Sequence, residues 1–441
     1  MELRDLFVTP VLIIVVFIFA YLIRPWVTDP INRRYFFPAL GVKIVGAICL
    51  GLIYQFYYHG GDTYNFHTHG SRHIWEAFMD SPEKGLGLML SGGVHGEYYE
   101  YSSRILFFTD PSAFFIIRLA AIFDLFTFSS YTATAVCFAM LSFVGMWMFF
   151  LTFYRKYPQL HSQLALAAFF IPSVFFWGSG LLKDTIMIGC LGIATFELDR
   201  LFFRKRISVI HVMILVISIW CIFSVKKFLL QAFIPAALLW IYLGNLKLIP
   251  SILARVMVFP FIVLISVVSI YYTIVKVGEG DRKYAVENLA KTAQITAYDI
   301  RYQTGKDAGS GYTLGVLDGT FASLLRLAPQ AINVSLFRPY LWEVNNPLML
   351  LSAIESLIFF VLTLFLILKH GFSFLRSFGN ADVGFSFAFS LIFAFAVGVS
   401  SFNFGTLARY KIPLMPFYAV VLILMFYENK PKKTEQFEVT E

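Results

Sequence analysis

Apolar runs long enough to cross a bilayer recur along the whole chain and alternate with short polar connections. A helix needs about 20 apolar residues to cross the hydrocarbon core, so each run predicts one membrane span. The predicted spans are 8–24, 39–57, 130–153, 162–178, 185–203, 208–224, 228–244, 254–275, 348–368, 383–400 and 412–427. The pattern therefore predicts an all-α polytopic membrane protein, with a single transmembrane domain over residues 1–441 and about eleven spans.

Composition supports the same class. Hydrophobic residues make up 58% of the chain and charged residues 14%, whereas soluble domains carry about 25% charged residues. A soluble fold would have to bury every apolar run, which excludes that class. The net charge of +8 does not require a nucleic-acid partner, because the positions of the basic residues account for it.

Basic residues in the short connections gather on one side of the predicted spans. The positive-inside rule makes that side cytoplasmic, which places the N-terminus outside and the C-terminus in the cytoplasm. An odd number of spans agrees with this orientation. The basic residues assigned to this side are Arg24, Arg33, Arg34, Lys43, Arg155, Lys156, Arg200, Arg204, Lys205, Arg206, Lys247, Arg255, Lys369, Arg376, Lys430, Lys432 and Lys433.

Two long loops fall on the extracytoplasmic side, at 59–129 and 276–346. Both contain helical patterns, in 281–301 and 321–327 among others, and we expect helices lying in the interface. Segment 113–127 is too short and too interrupted for a span, so we interpret it as interfacial or re-entrant.

The first candidate site begins where the second span leaves the membrane, at Gly60-Gly61-Asp62. The glycines allow a sharp turn, which would place the Asp62 carboxylate at the membrane–water boundary. A carboxylate there can accept a proton from an incoming hydroxyl or hold a divalent cation. The alternative is an ordinary surface turn, because turns favour Gly and Asp.

Histidines follow Asp62 closely, and His67-Thr68-His69 has a spacing that binds transition metals. Asp62, His67 and His69 are thus weak candidate ligands, and a divalent cation is the only cofactor that the sequence points to. The pattern is short and no cysteine supports it, so solvated or interfacial histidines are the favoured interpretation.

A second candidate lies at the start of the predicted span 185–203, where Lys183 and Asp184 follow a turn of small residues. An acidic residue at a helix start is stabilised by the helix dipole, which is the structural explanation. The functional explanation is that Lys183 binds a phosphate and Asp184 is a second carboxylate of the site. The sequence favours neither explanation.

Further charged residues lie at the outer ends of later spans. Arg338 and Glu343 precede one span, and Arg409 and Lys411 precede the last. Arginine suits phosphate because its planar guanidinium donates two parallel hydrogen bonds. The alternative is that these basic side chains extend to the lipid headgroups without binding a substrate. Inside the spans, Glu355 needs either a hydrogen bond to a neighbouring helix or a function, because buried carboxylates are costly in a membrane; Asp124 poses a milder version.

Together these groups meet the needs of a transfer reaction on a lipid-phosphate donor. A carboxylate would activate the acceptor, and basic groups would stabilise the phosphate leaving group. The lipid tail would lie in a groove between spans.

The pattern resembles the GT-C superfamily of membrane glycosyltransferases, the protein-mannosyltransferase type among them. Similar features are Gly61-Asp62 with Tyr64, the turn from Pro172 to Asp184, and the run Arg409-Tyr410-Lys411-Ile412-Pro413-Leu414-Met415-Pro416. The chain departs from the family in an extra first span, and we find no large soluble C-terminal domain in it.

The resemblance implies a polyprenyl-phosphate-linked sugar donor, a glycan, lipid or protein acceptor, inverting transfer, and a place in cell-envelope glycan synthesis at a bacterial inner membrane. It implies Asp62 as base and Asp184 as a second acidic site residue, with Arg409 and Lys411 on the donor phosphate. Tyr64, Lys183, Arg338 and Glu343 are the other expected substrate-binding residues.

Three other functions stay open. A polysaccharide polymerase or O-antigen ligase would rely on arginine, so loss of activity in Arg338→Ala rather than in Asp62→Asn would favour it. A lipid-linked-substrate transporter or flippase is disfavoured because the chain shows no internal repeat. A scaffold protein of the cell envelope is a third alternative.

Overall fold

The computed structural model describes residues 2–249, 311–315 and 326–428, with scattered positions between 251 and 264. Its regular structure over these residues is helical, with one isolated bridge between Gly311 and Asn403. The helices of the first part are α1 (Leu3–Val27), α2 (Arg33–Phe56), α3 (Asp62–Phe66), α4 (Arg72–Asp80), α5 (Pro82–Leu90), α6 (Tyr99–Ser102), α7 (Pro111–Thr127), α8 (Tyr131–Tyr154), α9 (His161–Ala165) and α10 (Pro172–Trp177).

The later helices complete the bundle. They are α11 (Lys183–Phe202), α12 (Val209–Val225), α13 (Lys227–Asn245), α14 (Ala328–Phe337), α15 (Pro347–His370), α16 (Ala381–Ser401), α17 (Phe404–Tyr410) and α18 (Leu414–Glu428). The all-α prediction is therefore confirmed over the residues that the structure describes.

Six helices of the described chain are long and apolar enough to cross a membrane. They are α1, α2, α8, α13 with the turn after it (Lys227–Leu248), α15 with the turns after it (Pro347–Gly379), and α16. The pair α17–α18, bent by 67°, makes a seventh if it counts as one span. These apolar helices are those of a membrane protein, and the count of eleven stays a prediction.

The difference from eleven has identifiable causes. Predicted span 162–178 is divided into α9, a π-turn and α10, because Pro172 has no N–H to continue the helix. Predicted spans 185–203 and 208–224 are the single helices α11 and α12, but α11 carries several charges and α12 is only 17 residues long. Predicted span 254–275 and most of the loop 276–346 lie outside the described residues.

Segment 113–127 belongs to α7, a 17-residue helix that begins at Pro111 with its first turn capped by Asp110. At 17 residues α7 is shorter than the ~20 residues that a full span needs. Several of its apolar side chains and Asp124 are buried by the protein. The Asp124 carboxylate accepts a hydrogen bond from Thr134 at 2.6 Å, which provides it with a partner on a neighbouring helix.

Helices α8 and α11 pack with their backbones in contact, at Gly145 of α8 and at Gly189 and Gly192 of α11. A Cβ atom added to Gly145 would lie 2.0 Å from the Gly189 carbonyl oxygen, and one on Gly192 would lie 2.2 Å from that of Gly145. Small residues permit such close approach, which is a common way to join helices in a membrane. Helix α11 is therefore fixed against α8, with Asp184 near one end and Arg200 near the other.

The short helix α10 is held at both ends by buried charges from other helices. At its start, Glu355 of α15 accepts hydrogen bonds from the Ser173 N–H at 2.8 Å and from its hydroxyl at 2.7 Å. At its end, the Lys43 ammonium of α2 donates to the Gly178 carbonyl at 2.7 Å. An acid at the helix start and a base at its end both suit the helix dipole.

This arrangement changes the interpretation of two residues. Lys43, counted in the sequence among the basic residues of cytoplasmic connections, is fully buried inside α2 and does not belong to that count. Glu355 makes the hydrogen bonds to a neighbouring element that a buried carboxylate requires. Both residues position the segment that leads to Asp184.

Candidate functional site

The turn before Asp62 depends on two glycines with positive φ. Gly60 has φ +133° and Gly61 has φ +119°, values that side chains rarely adopt. A Cβ on Gly61 would also lie 2.9 Å from the Tyr54 ring. The chain can therefore leave α2 and begin α3 at once, with Asp62 as its first residue.

Arg409, in the last turn of α17, joins the two carboxylates singled out in the sequence. Its Nη1 lies 2.6 Å from Oδ2 of Asp62, and its Nε lies 2.6 Å from Oδ2 of Asp184. The Asp62 side chain is 44% exposed, whereas that of Asp184 is fully buried. The structure thus brings Asp62, Asp184 and Arg409 into one cluster.

A fourth member, Lys226, was not selected from the sequence. It lies between α12 and α13, and its ammonium pairs with Oδ1 of Asp184. Its Nζ also lies 4.3 Å from the centroid of the Tyr410 ring. The only signal for Lys226 in the sequence was a Lys-Lys pair on the side opposite to most basic residues, and nothing there separates it from Lys227.

Burial gives the two carboxylates different capacities. Asp184 is enclosed and each of its oxygens faces a cation, so its charge is fully compensated inside the protein. Asp62 shares only one oxygen with Arg409 in an ion pair and is open on its other side. Asp62 is the carboxylate that an incoming molecule can reach, and Asp184 holds Arg409 and Lys226 in place.

Lys183 lies next to this cluster but has its own partners. Its ammonium donates to the Ser112 hydroxyl at 2.7 Å and lies 3.7 Å from the Asp110 carboxylate, at the start of α7. Lys183 therefore ties α11 to the first loop. Its assignment to substrate binding stays a prediction.

Lys411 is fully buried two residues after Arg409. Its ammonium donates to the Ser356 hydroxyl at 2.9 Å and faces the Arg338 carbonyl at 3.4 Å. These contacts hold the bend between α17 and α18 against α15. In this structure Lys411 is engaged with protein groups, so a role on donor phosphate stays a prediction.

Arg338 and Glu343, both expected to bind substrate, form a forked ion pair with each other. Glu343 also accepts from the Tyr340 N–H at 2.8 Å. Partial burial raises the pKa of Glu343, but the hydrogen bonds from Arg338 and Tyr340 outweigh it and leave the pKa below its ordinary value of 4.5. The Arg338 guanidinium lies 5.1 Å from the ring of Phe404, the first residue of α17. The pair therefore supports the helix that carries Arg409.

Tyr64 packs away from the ion pairs. Its ring stacks on Tyr131 at 4.3 Å, and its hydroxyl faces Gln55 of α2 at 3.3 Å. The structure gives Tyr64 a part in fixing α3 against α2 and α8, and its substrate-binding role stays a prediction.

The weak metal candidates do not share one site. His67 is buried with Nε2 3.4 Å from the Asp124 carboxylate, His69 is exposed, and Asp62 is paired with Arg409. Within the described ranges no group of three or more His, Cys, Asp or Glu side chains is placed to hold a metal ion.

Comparison with known proteins adds no relative. No protein-family model matches the chain, and neither a curated protein nor a solved structure matches it. The geometry of Asp62, Asp184, Lys226 and Arg409 is accordingly the basis for a functional interpretation.

Proposed function

We propose that this protein is a membrane glycosyltransferase that moves a sugar from a polyprenyl-phosphate donor to an extracytoplasmic acceptor. The supporting observation is the 2.6 Å contact between Arg409 Nη1 and Asp62 Oδ2. Transfer from a lipid phosphate needs a proton acceptor and an anion-stabilising cation close together. Asp62 and Arg409 supply these two groups at adjacent positions.

In the proposed step, the acceptor hydroxyl gives its proton to Asp62 while its oxygen bonds to the anomeric carbon of the sugar. The bond from that carbon to the phosphate oxygen breaks, and the electron pair leaves with the lipid phosphate. Attack opposite the leaving group inverts the anomeric centre. Electrostatic stabilisation of the departing phosphate is the contribution we assign to Arg409.

Arg409 has donors left for this task. A guanidinium carries five N–H donors on three nitrogens. The two carboxylates engage Nε and Nη1, and the Tyr54 side chain also hydrogen-bonds this guanidinium, so these three acceptors leave donors over. Nη2 is the nitrogen that we assign to a phosphate oxygen. Asp184 and Lys226 act through Arg409 by fixing its orientation, and we assign them no contact with substrate.

The orientation predicted from the sequence belongs to this proposal. Asp62 begins α3 just after the end of α2, Asp184 lies at the start of α11, and Arg409 lies in the last turn of α17. The positive-inside rule assigns these helix ends to the outside. A bacterial inner membrane, with the N-terminus outside and the C-terminus in the cytoplasm, is the setting that we propose. The donor and acceptor classes are those implied by the GT-C resemblance.

Transport of a lipid-linked substrate is a second candidate, and broken helices favour it. Segment 161–177 is divided before Pro172, and α17 meets α18 at 67°. Discontinuous helices are typical of transporter binding sites.

The polymerase or ligase alternative relied on Arg338, which is already paired with Glu343.

Reconstitution separates these functions. We would incorporate the purified protein into sealed vesicles with a polyprenyl-phosphate sugar labelled in the sugar, and add acceptor extract from cells lacking the protein. The proposal predicts labelled product together with free polyprenyl phosphate. Movement of the intact lipid across the bilayer without cleavage of the sugar–phosphate bond would instead identify a transporter and contradict the proposal.

A further inference from the structure

An apolar groove runs between α1, α2 and α8, far from Asp62. It encloses about 560 Å³, and its walls include Val16, Ala20, Phe36, Phe143, Val144 and Trp147. Val144 is 49% exposed, so the groove opens on the outside of the helix bundle. At one end its lining includes Arg155 and Phe196.

A second cavity lies beside this groove. It has about 450 Å³ and is lined by four arginines, Arg155, Arg200, Arg204 and Arg206. Arg155 lines both cavities, so the apolar groove and the arginine cavity are adjacent at this residue.

Within the part of the chain that the structure describes, few carboxylates pair with these arginines. Asp199 is shared between Arg204, at 2.5 Å, and Lys156, at 3.0 Å. Nε of Arg200 is buried and has no hydrogen-bond partner among the residues that the structure describes. Burial and the nearby Arg204 lower the pKa of Arg155, an effect expected when cations crowd together.

Asp29, the carboxylate that lines the groove, is engaged by hydrogen-bond donors other than these arginines. One of its oxygens accepts from the N–H groups of Ile31 and Asn32 and from the Tyr154 hydroxyl, and the other accepts from the Asn32 amide. Among the described residues, Asp199 on Arg204 is therefore the one carboxylate paired with an arginine of this cavity.

The two cavities lie at the opposite end of the bundle from the candidate catalytic cluster. Helix α8 begins at Tyr131, whose hydroxyl bonds Thr63 next to Asp62, and Arg155 follows its last residue. A helix of 24 residues is about 36 Å long at 1.5 Å per residue. A ligand at Arg155 thus occupies a different site from one at Asp62.

We propose that this end of the bundle binds an anionic phospholipid, with its phosphate on Arg155, Arg200 and Arg206 and one acyl chain in the groove. Guanidinium groups bind phosphate through paired, charge-assisted hydrogen bonds. The groove would provide apolar contacts for one acyl chain of the same lipid. An apolar groove beside a cavity in which four arginines meet favours a lipid phosphate over a free one, because only a lipid would occupy both. The site does not depend on the proposed enzymatic activity.

Native mass spectrometry of the full chain in detergent, titrated with phosphatidylglycerol or phosphatidylcholine, tests this inference. We expect phosphatidylglycerol to bind more tightly than phosphatidylcholine. The double variant Arg155→Gln with Arg200→Gln should weaken phosphatidylglycerol binding roughly tenfold or more, because it removes two charged hydrogen-bond donors. Arg376→Gln, an exposed arginine elsewhere on the same predicted side, is the matched control and should bind as wild type.

The groove is tested separately with Val144→Trp, which fills it, against Leu141→Trp, an exposed position on α8 that does not line it. We expect only Val144→Trp to weaken phosphatidylglycerol binding, and inorganic phosphate to compete poorly. Equal binding of the two lipids, or wild-type binding by the double arginine variant, would overturn the proposal. Strong competition by inorganic phosphate with no effect of Val144→Trp would assign the cavity to a soluble phosphate and overturn the lipid assignment.

Discussion

The Arg409 guanidinium lies 2.6 Å from the Asp62 carboxylate although 347 residues separate them in the chain. The same guanidinium contacts Asp184, which is buried, whereas Asp62 remains nearly half exposed. One arginine therefore links an internal, fully compensated carboxylate to an accessible one. Under the proposed function, this asymmetry gives Asp184 a positioning role and Asp62 the role of proton acceptor.

Replacing Arg409 by lysine tests its simultaneous contact with Asp62 and Asp184 without removing the positive charge. Lysine offers a point charge on a flexible stem and cannot reproduce the planar fork between Asp62 and Asp184. We expect Arg409→Lys to lower the transfer rate by about 100-fold, the size typical for loss of one preorganised donor. Arg4→Lys, an exposed arginine at the start of α1, should retain wild-type turnover. Equal rates for the two variants would remove Arg409 from the mechanism.

Asp184 and Asp62 should differ in their effect on stability. Asp184→Asn leaves the cations Arg409 and Lys226 without a buried counter-charge, and breaking such a network costs about 3–5 kcal/mol. Asp62→Asn removes a half-exposed partner, and exposed pairs contribute about 0–1 kcal/mol. The apparent Tm of both variants in detergent checks this difference. A Tm loss at least as large for Asp62→Asn would show that the burial argument is wrong.

Glu355 accepts two hydrogen bonds at the start of α10, so substitutions that keep or remove an acceptor should differ in their effect. Glu355→Leu leaves the Ser173 N–H and hydroxyl without their acceptor, at about 1–3 kcal/mol for a buried unsatisfied group. Glu355→Gln keeps one carbonyl acceptor and should retain more stability and more transfer activity. If Glu355 only fills space, the two variants will have the same apparent Tm and the same kcat.

The ion pair between Glu343 and Arg338 should contribute to the stability of the fold in a pH-dependent way. Its folded pKa lies below its ordinary value of 4.5, so its pairing with Arg338 is complete above that value and is lost as pH falls through the folded pKa. Glu343→Gln should therefore lower the apparent Tm at pH 7, by an amount that stays constant down to about pH 5 and then shrinks. A difference that is absent at pH 7, or that increases on acidification, would contradict this pairing.

The sequence is informative where charge stands out against an apolar background. Asp62 follows a glycine turn at the end of a span, and Arg409 lies on the side with few cations, so the residue pattern alone singles out both. Their contact could not be predicted, because it depends on how α2 and α17 pack. The eleven-span count is not confirmed in the middle of the chain, where Pro172 breaks one apolar run and charges in α11 interrupt another.

Lys226 and Lys43 show what charge position along the chain cannot reveal. Lys226 acts through Asp184, 42 residues away, and the neighbouring Lys227 has the same sequence context. Lys43 was assigned to a basic connection, yet it caps the carbonyl end of α10 from inside α2. Both functions arise from tertiary contacts between helices, which local composition does not encode.

The central claim is that Asp62 accepts the proton of the acceptor hydroxyl. Sugar transfer by Asp62→Asn tests it most directly, because asparagine keeps the shape of the side chain but cannot accept that proton. In vesicles with a labelled polyprenyl-phosphate sugar, we expect this variant to remain folded and to lose at least about 100-fold in kcat, the lower range for general-base catalysis. Glu83→Gln makes the same chemical change at an exposed position in the first loop and should turn over as wild type does. Wild-type turnover by Asp62→Asn would contradict the account.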